Sequence, residues 1–180
     1  MPRKLEPIID NLSRARAGLL RAADSVSAEQ WNRNPCEGTW SAAELVAHLI
    51  MVERAIIAVA DRLLQKPPKS TPLWKRLHLP MALVEARVIR RKTPIPLDPQ
   101  LLREKEEMLA ELRLTRERTL TFIKETGNRN LRAYRWRHPF IGTLHTYQWF
   151  QMIASHEIRH TKQMREIAAN LPNCVTRLQK

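Results

Sequence analysis

Apolar side chains at Leu5, Ile8, Ile9, Leu12, Leu19, Leu20 and Ala23 recur at spacings of three and four with charged residues between them, which predicts an amphipathic helix from Leu5 to about Ala23. The connection DSVSAEQWNRNP carries one helical turn started by Ser27 and delivers the chain to Trp40. A second helix opens on Ser41-Ala-Ala-Glu44, a capping box in which hydroxyl and carboxylate each satisfy a first-turn amide, and runs to about Gln65 before Pro67-Pro68. Its stripe is Leu45, His48, Val52, Ala55 and Val59, so His48 points where the apolar side chains point. Asp98-Pro99 reads as the start of a third helix, carried by Leu101, Met108, Leu112, Thr115, Thr119 and Phe122 to about Thr126 and ended by Gly127-Asn128. The Glu and Arg residues on its other faces read as solvated pairs. A fourth helix, capped by Thr143, runs to about Asn170 before Pro172 along the stripe His145, Trp149, Met152, His156, His160, Gln163 and Ile167.

Four amphipathic helices with two longer connections predict an all-α, four-helix bundle in one domain spanning residues 1–180. Between helices two and three lies a longer, proline-rich stretch, 67–97, holding a short helical pattern, MALVEARVIRR. Composition agrees. The 4 glycines, Gly18, Gly38, Gly127 and Gly142, are too scattered to cradle a phosphate, and there is no Asn-Gly or Asp-Gly to turn a tight hairpin, so nucleotide-binding folds and many-stranded sheets are disfavoured. The N-terminus lacks the apolar run of a signal peptide, no stretch reaches the roughly 20 apolar residues of a bilayer span, and Cys36 and Cys174 read as isolated free thiols. The expectation is a cytoplasmic protein with no membrane partner.

His156 and His160 stand one helical turn apart on an inward stripe, and His48 stands on the inward stripe of another helix. Three neutral imidazoles meeting between helices would hold a divalent ion and leave positions open for water or substrate. The donor set suits Zn, Ni, Fe or Cu, with Mn a further candidate, and disfavours Mg and Ca. His145 lies eleven residues before His156, about 16 Å along the axis and too far to share an ion. His156-Glu157-Ile158-Arg159-His160 also spells H-E-x-x-H, the zinc-protease motif with Glu157 as base. Against that, Gln163 and Glu166 stand where the extended protease motif has Gly and His, and few residues remain for a later glutamate ligand.

The segment TWSAAELVAHLIMVE, with HPFIGTLHTYQWFQMIASHEIRHTKQM far downstream, resembles the DinB-like superfamily. The matching residues are Trp40, Ser41, Glu44, His48 and Leu49; His138, Pro139 and Gly142; and His156, His160 and Gln163. The resemblance implies a four-helix bundle holding a divalent metal on His48, His156 and His160, and a homodimer. It also implies kinship with thiol-dependent transferases and a thiol-dependent isomerase, in which the metal activates a low-molecular-weight thiol. Two chemistries follow for the site: a hydrolase using a metal-activated water, or a thiol S-transferase acting on a small molecule. Glu44, Gln163 and Glu157 are the candidate catalytic residues, and His138, Trp149 and Arg137 the candidate substrate contacts.

Charge adds a competing reading. Of the formal +13, ten units sit in the stretches 67–97 and 127–142. They predict an anionic small-molecule substrate or, with aromatics interleaved among Arg129, Arg132, Tyr134, Arg135, Trp136 and Arg137, a nucleic acid bound by a non-catalytic module with a structural metal. No helix-turn-helix, RNA-binding sheet or basic zipper accompanies the cluster.

Overall fold

The computed structural model describes residues 5–68 and 102–177. Among these it places helices α1 (Glu6–Asp24), α2 (Ala42–Leu64), α3 (Lys105–Thr126) and α4 (Thr146–Arg177), with strands β1 (Arg135–His138) and β2 (Gly142–His145) between the last two. The fold is the expected all-α bundle with one small antiparallel hairpin added. The proline-rich stretch after Pro68, its short helical pattern and the Asp98-Pro99 pair lie outside the described residues.

Buried side chains fall into two apolar clusters, one at each end of the bundle. The first joins Leu19 and Ala23 of α1 to Leu45 and Ile50 of α2, Met108 and Leu112 of α3, and Met164 and Ile167 of α4. The second joins Leu5, which caps α1, and Leu12 of α1 to Ile56 and Leu64 of α2, Ile123 of α3, Leu144 of β2 and Phe150 and Ile153 of α4. Helices α1 and α4 therefore run one way and α2 and α3 the other. Leu64 closes α2 at the end opposite to Lys105, where α3 begins, so no short loop can join them. Trp31, fully buried in the connection after α1, donates its indole N–H to Met108 Sδ at 3.3 Å and ties that connection to α3.

Local chemistry sets the helix ends. Ser41 Oγ accepts from the Glu44 amide (3.1 Å) and the Glu44 carboxylate accepts from the Ser41 amide (2.7 Å), the predicted capping box. Ser27 Oγ likewise accepts from the Gln30 amide, closing the predicted turn. Helix α3 starts later than Asp98 would place it, because Glu104 is extended (ψ 150°) and residues 102–104 are not helical.

Thr143 does not cap the fourth helix. It lies in β2 opposite Arg137, and His145 takes the capping role, its Nδ1 accepting from the Gln148 amide while Gln148 Oε1 accepts from the His145 amide. Gly142 ends the hairpin loop at φ 98°, a left-handed conformation that glycine adopts without penalty. Nor does α4 stop before Pro172; it continues to Arg177, since a proline removes one amide donor and can bend a helix without ending it.

Two expectations about faces are also corrected. In the second half of α2 the inward stripe runs through Glu53, Ile56, Ala60 and Leu64, leaving Ala55 exposed and Val59 half-buried. On α3, Arg116 is not part of a solvated face but is buried in the core.

Candidate metal centre

His48 comes from the first half of α2 and His156 and His160 from the middle of α4, and the packing of α2 on α4 brings the three rings together. His156 Nε2 lies 3.3 Å from His48 Nε2 and 3.1 Å from His160 Nε2. One nitrogen from each ring falls within 4.8 Å of the others. Nitrogens bound tetrahedrally at a zinc–nitrogen distance of about 2.05 Å stand about 3.3 Å apart, so the two short separations match the edge of such a site.

The rings are held in a form suited to metal. Burial pushes the His48 imidazole down to about 4. Burial, and then the neighbouring His160 and His48, push His156 well below the ordinary histidine value. Neutral imidazoles with free lone pairs are the form a metal ion requires. Gln163 Oε1 lies 3.0 Å from His160 Nδ1, so the amide oxygen faces the ring nitrogen that does not face the cluster. Trp40, half-buried just before α2, covers one side: its ring stacks within 13° of parallel on His160 at 6.1 Å and packs against His48 at 4.9 Å. The sequence showed Trp40 only as part of a motif; its place over the cluster follows from the capping box, which turns the chain into α2 one residue later.

The other candidate residues separate. The Glu44 carboxylate is occupied by the Ser41 amide and by Asn34 Nδ2 at 2.8 Å. Glu157 is held in the core, where Oε1 accepts from Arg16 Nε (2.5 Å) and Oε2 from Arg116 Nη2 (2.8 Å). A carboxylate with each oxygen on a guanidinium is not placed to serve as the base of an H-E-x-x-H protease. Trp149 is buried, its ring stacked on Trp136 at 4.7 Å. His138 sits 5.2 Å from Trp149 and uses Nδ1 to accept the amides of Phe140 and Ile141. Alternation along β1 puts Arg137 on the opposite face, exposed.

The basic cluster beside these residues is partly folded inward. Arg129 donates to Leu64 O and Tyr134 Oη, Tyr134 is buried, and Trp136 is covered by Trp149. Tyr134 is thus withdrawn from solvent, and one face of Trp136 is taken by Trp149. None of the described helices is long and apolar enough to cross a membrane. Cys36 is an exposed free thiol, while the side chain of Cys174 falls outside the described residues.

A bundle whose core opens onto three convergent imidazoles from two helices defines a class of helical proteins able to hold a divalent ion between helices. The sequence profile described as the DinB superfamily matches residues 11–164, and the chain belongs to that superfamily. It is also 29% identical over 143 residues to a Bacillus subtilis (strain 168) protein bearing the name "Uncharacterized protein YuaE", covering 79% of this chain and 85% of that relative.

Proposed function

We propose that this chain is a metal-dependent enzyme that holds a divalent ion on His48, His156 and His160 and acts on a small molecule as a hydrolase or a thiol S-transferase. The observation that carries the reading is the convergence of three ring nitrogens from two helices at separations a single ion can bridge. When bound, zinc or nickel would supply Lewis acidity, lowering the pKa of a coordinated water or thiol. Imidazole donors are equally suited to iron, and manganese is the remaining candidate.

The chain's own residues divide the remaining work. Gln163 orients His160, Trp40 closes one side of the cluster against water, and His138, close enough to bear on His156 electrostatically, stands beside Trp149 at the hairpin as a candidate substrate contact. The surplus of positive charge favours an anionic substrate, steered toward the bundle from solution. A homodimer goes with this reading on the family resemblance alone, and a cytoplasmic location on the sequence pattern and the isolated thiols.

Metal analysis of protein purified without an affinity tag tests the reading. About one equivalent of a transition metal is expected in the parent and a large loss in His156→Ala. No metal in the parent, or equal metal in both, would refute it. For the reaction, metal-loaded protein is screened against ester, amide and electrophilic substrates with and without low-molecular-weight thiols. A rate that depends on both metal and thiol selects the transferase, and a thiol-independent rate selects the hydrolase.

A further inference from the structure

Among the described side chains, each helix of the bundle breaks its apolar stripe once with a charged residue, and the four breaks meet. Arg16 of α1, Glu53 of α2, Arg116 of α3 and Glu157 of α4 are all at most 6% exposed and form a polar layer between the two apolar clusters. Arg16 donates from Nη2 to Glu53 Oε2 (2.8 Å) and from Nε to Glu157 Oε1 (2.5 Å). Arg116 donates from Nε to Glu53 Oε1 (2.8 Å) and from Nη2 to Glu53 Oε2 (3.1 Å) and Glu157 Oε2 (2.8 Å). Their remaining Nη1 groups cross over to main-chain carbonyls, Arg16 to Leu112 on α3 and Arg116 to Leu12 on α1.

The division of labour is the informative feature. Both carboxylates stand on the helices that carry histidines, and both guanidiniums stand on the helices that do not. Glu157 follows His156 directly, and Glu53 lies five residues past His48, about 7.5 Å along the axis. His156, Glu53 and Glu157 line one small cavity of about 10 Å³, room for a single water, so the layer lies directly behind the histidine cluster.

Stability alone gives little reason for such a layer, because apolar residues of similar volume hold a core as well as or better than buried ion pairs. Apolar contacts, however, are not directional, whereas forked guanidinium–carboxylate bonds fix distance and rotation. We propose that the quartet is a positioning device: Arg16 and Arg116, by gripping both Glu53 and Glu157, fix the helix bearing His48 against the helix bearing His156 and His160. The proposal rests on the metal reading above. It makes these four positioning residues, acting through the imidazoles.

Cobalt(II) is the probe, because its visible spectrum reports ligand geometry and its affinity can be read by chelator competition. Three proteins are compared with the parent. Arg116→Lys keeps the charge but loses the fork, and the fourfold Arg16→Met, Glu53→Leu, Arg116→Met, Glu157→Leu replaces the layer with apolar volume. Leu12→Ala, at a fully buried residue in the apolar cluster next to the layer, destabilises while keeping all four charged side chains and the Leu12 main-chain carbonyl that Arg116 uses.

The first two are expected to bind cobalt about ten- to a hundredfold more weakly with altered bands, the loss typical of disturbed support around a metal ligand. Leu12→Ala is expected to melt lower yet keep the parent's spectrum. Arg116→Lys with parental affinity and spectrum would overturn the proposal, as would a Leu12→Ala protein whose spectrum changes equally. Should the fourfold protein fail to fold, Arg116→Lys decides. A parent that takes up no cobalt defeats the metal reading and this proposal together, whereas a parent that binds alongside variants that bind equally well defeats this proposal alone.

Discussion

Gln163 gives His160 its orientation: its amide oxygen, 3.0 Å from Nδ1, can only accept, which favours the tautomer with the proton on Nδ1 and leaves the Nε2 lone pair for a metal. Replacing it with leucine of similar bulk removes the acceptor and frees the tautomer. Gln163→Leu is therefore expected to weaken zinc binding about 10- to 100-fold with unchanged helix content, checked by competition against a chromophoric chelator. Protonation gives a second test at this scale. An ordinary histidine site loses affinity below pH 7 because protons compete for each ring, but burial has already pushed His48 down to about 4 and His156 well below its usual value. With two of the three rings already held neutral, zinc affinity should fall far less between pH 8 and pH 6 than at a site of three ordinary imidazoles, and more steeply only in more acid solution. A loss of about threefold per ring between pH 7 and pH 6, roughly thirtyfold for three rings, measured by the same competition, would show that the imidazoles titrate normally.

At the scale of elements, two glycines in the same chain should respond to alanine with opposite signs. Gly18 lies inside α1 with open space around the position a Cβ would take, so Gly18→Ala is expected to raise stability by about 0.5–1 kcal/mol. Gly142 closes the hairpin at φ 98°, where an L side chain is strained, so Gly142→Ala is expected to lower stability by about 1–2 kcal/mol. Urea denaturation of the two variants measures both shifts. The same contrast shows what the amino-acid pattern could and could not convey. The capping box at Ser41 is a local code, and both its bonds form as read. The hairpin carries no Asn-Gly or Asp-Gly, because a longer loop ending in a left-handed glycine does not need one, and so β1 and β2 were hidden inside what looked like a loop. The cap of α4 was displaced to His145 because the reciprocal bonds with Gln148 are made by an imidazole, outside the usual serine and aspartate vocabulary. His48, His156 and His160 were legible as a set because each stands on an inward stripe. The four charged residues stand on inward stripes too, but arginine and glutamate at helical spacing look the same whether solvated or buried; only their pairing in space separates the two cases.

For the whole molecule, acid should be a selective stress on the metal-free form. His48 is held at about 4 when folded against 6.5 when free, so between those values the unfolded chain binds more protons than the folded one. Its contribution is fully present above pH 6.5 and is lost as pH falls toward 4, a difference of about 3 kcal/mol at most. Glu53 acts lower on the scale. Burial raises its carboxyl, but Arg116 and Arg16 outweigh burial and hold it below the usual carboxylate value, so its contribution is lost only as pH falls through that depressed value. Metal-free protein should lose stability first across the histidine window and then more steeply below the ordinary carboxylate range. Zinc at 100 times its dissociation constant would add about 2.7 kcal/mol and, by requiring neutral rings, delay the first loss. The variant that isolates the first step is His48→Gln, which keeps a polar group of similar size but cannot titrate. Denaturant melts of metal-free parent and variant at pH 7 and pH 4.5 are expected to show a smaller loss in the variant, by about 2 kcal/mol. Equal losses in the two proteins would mean that His48 is not held neutral between the helices.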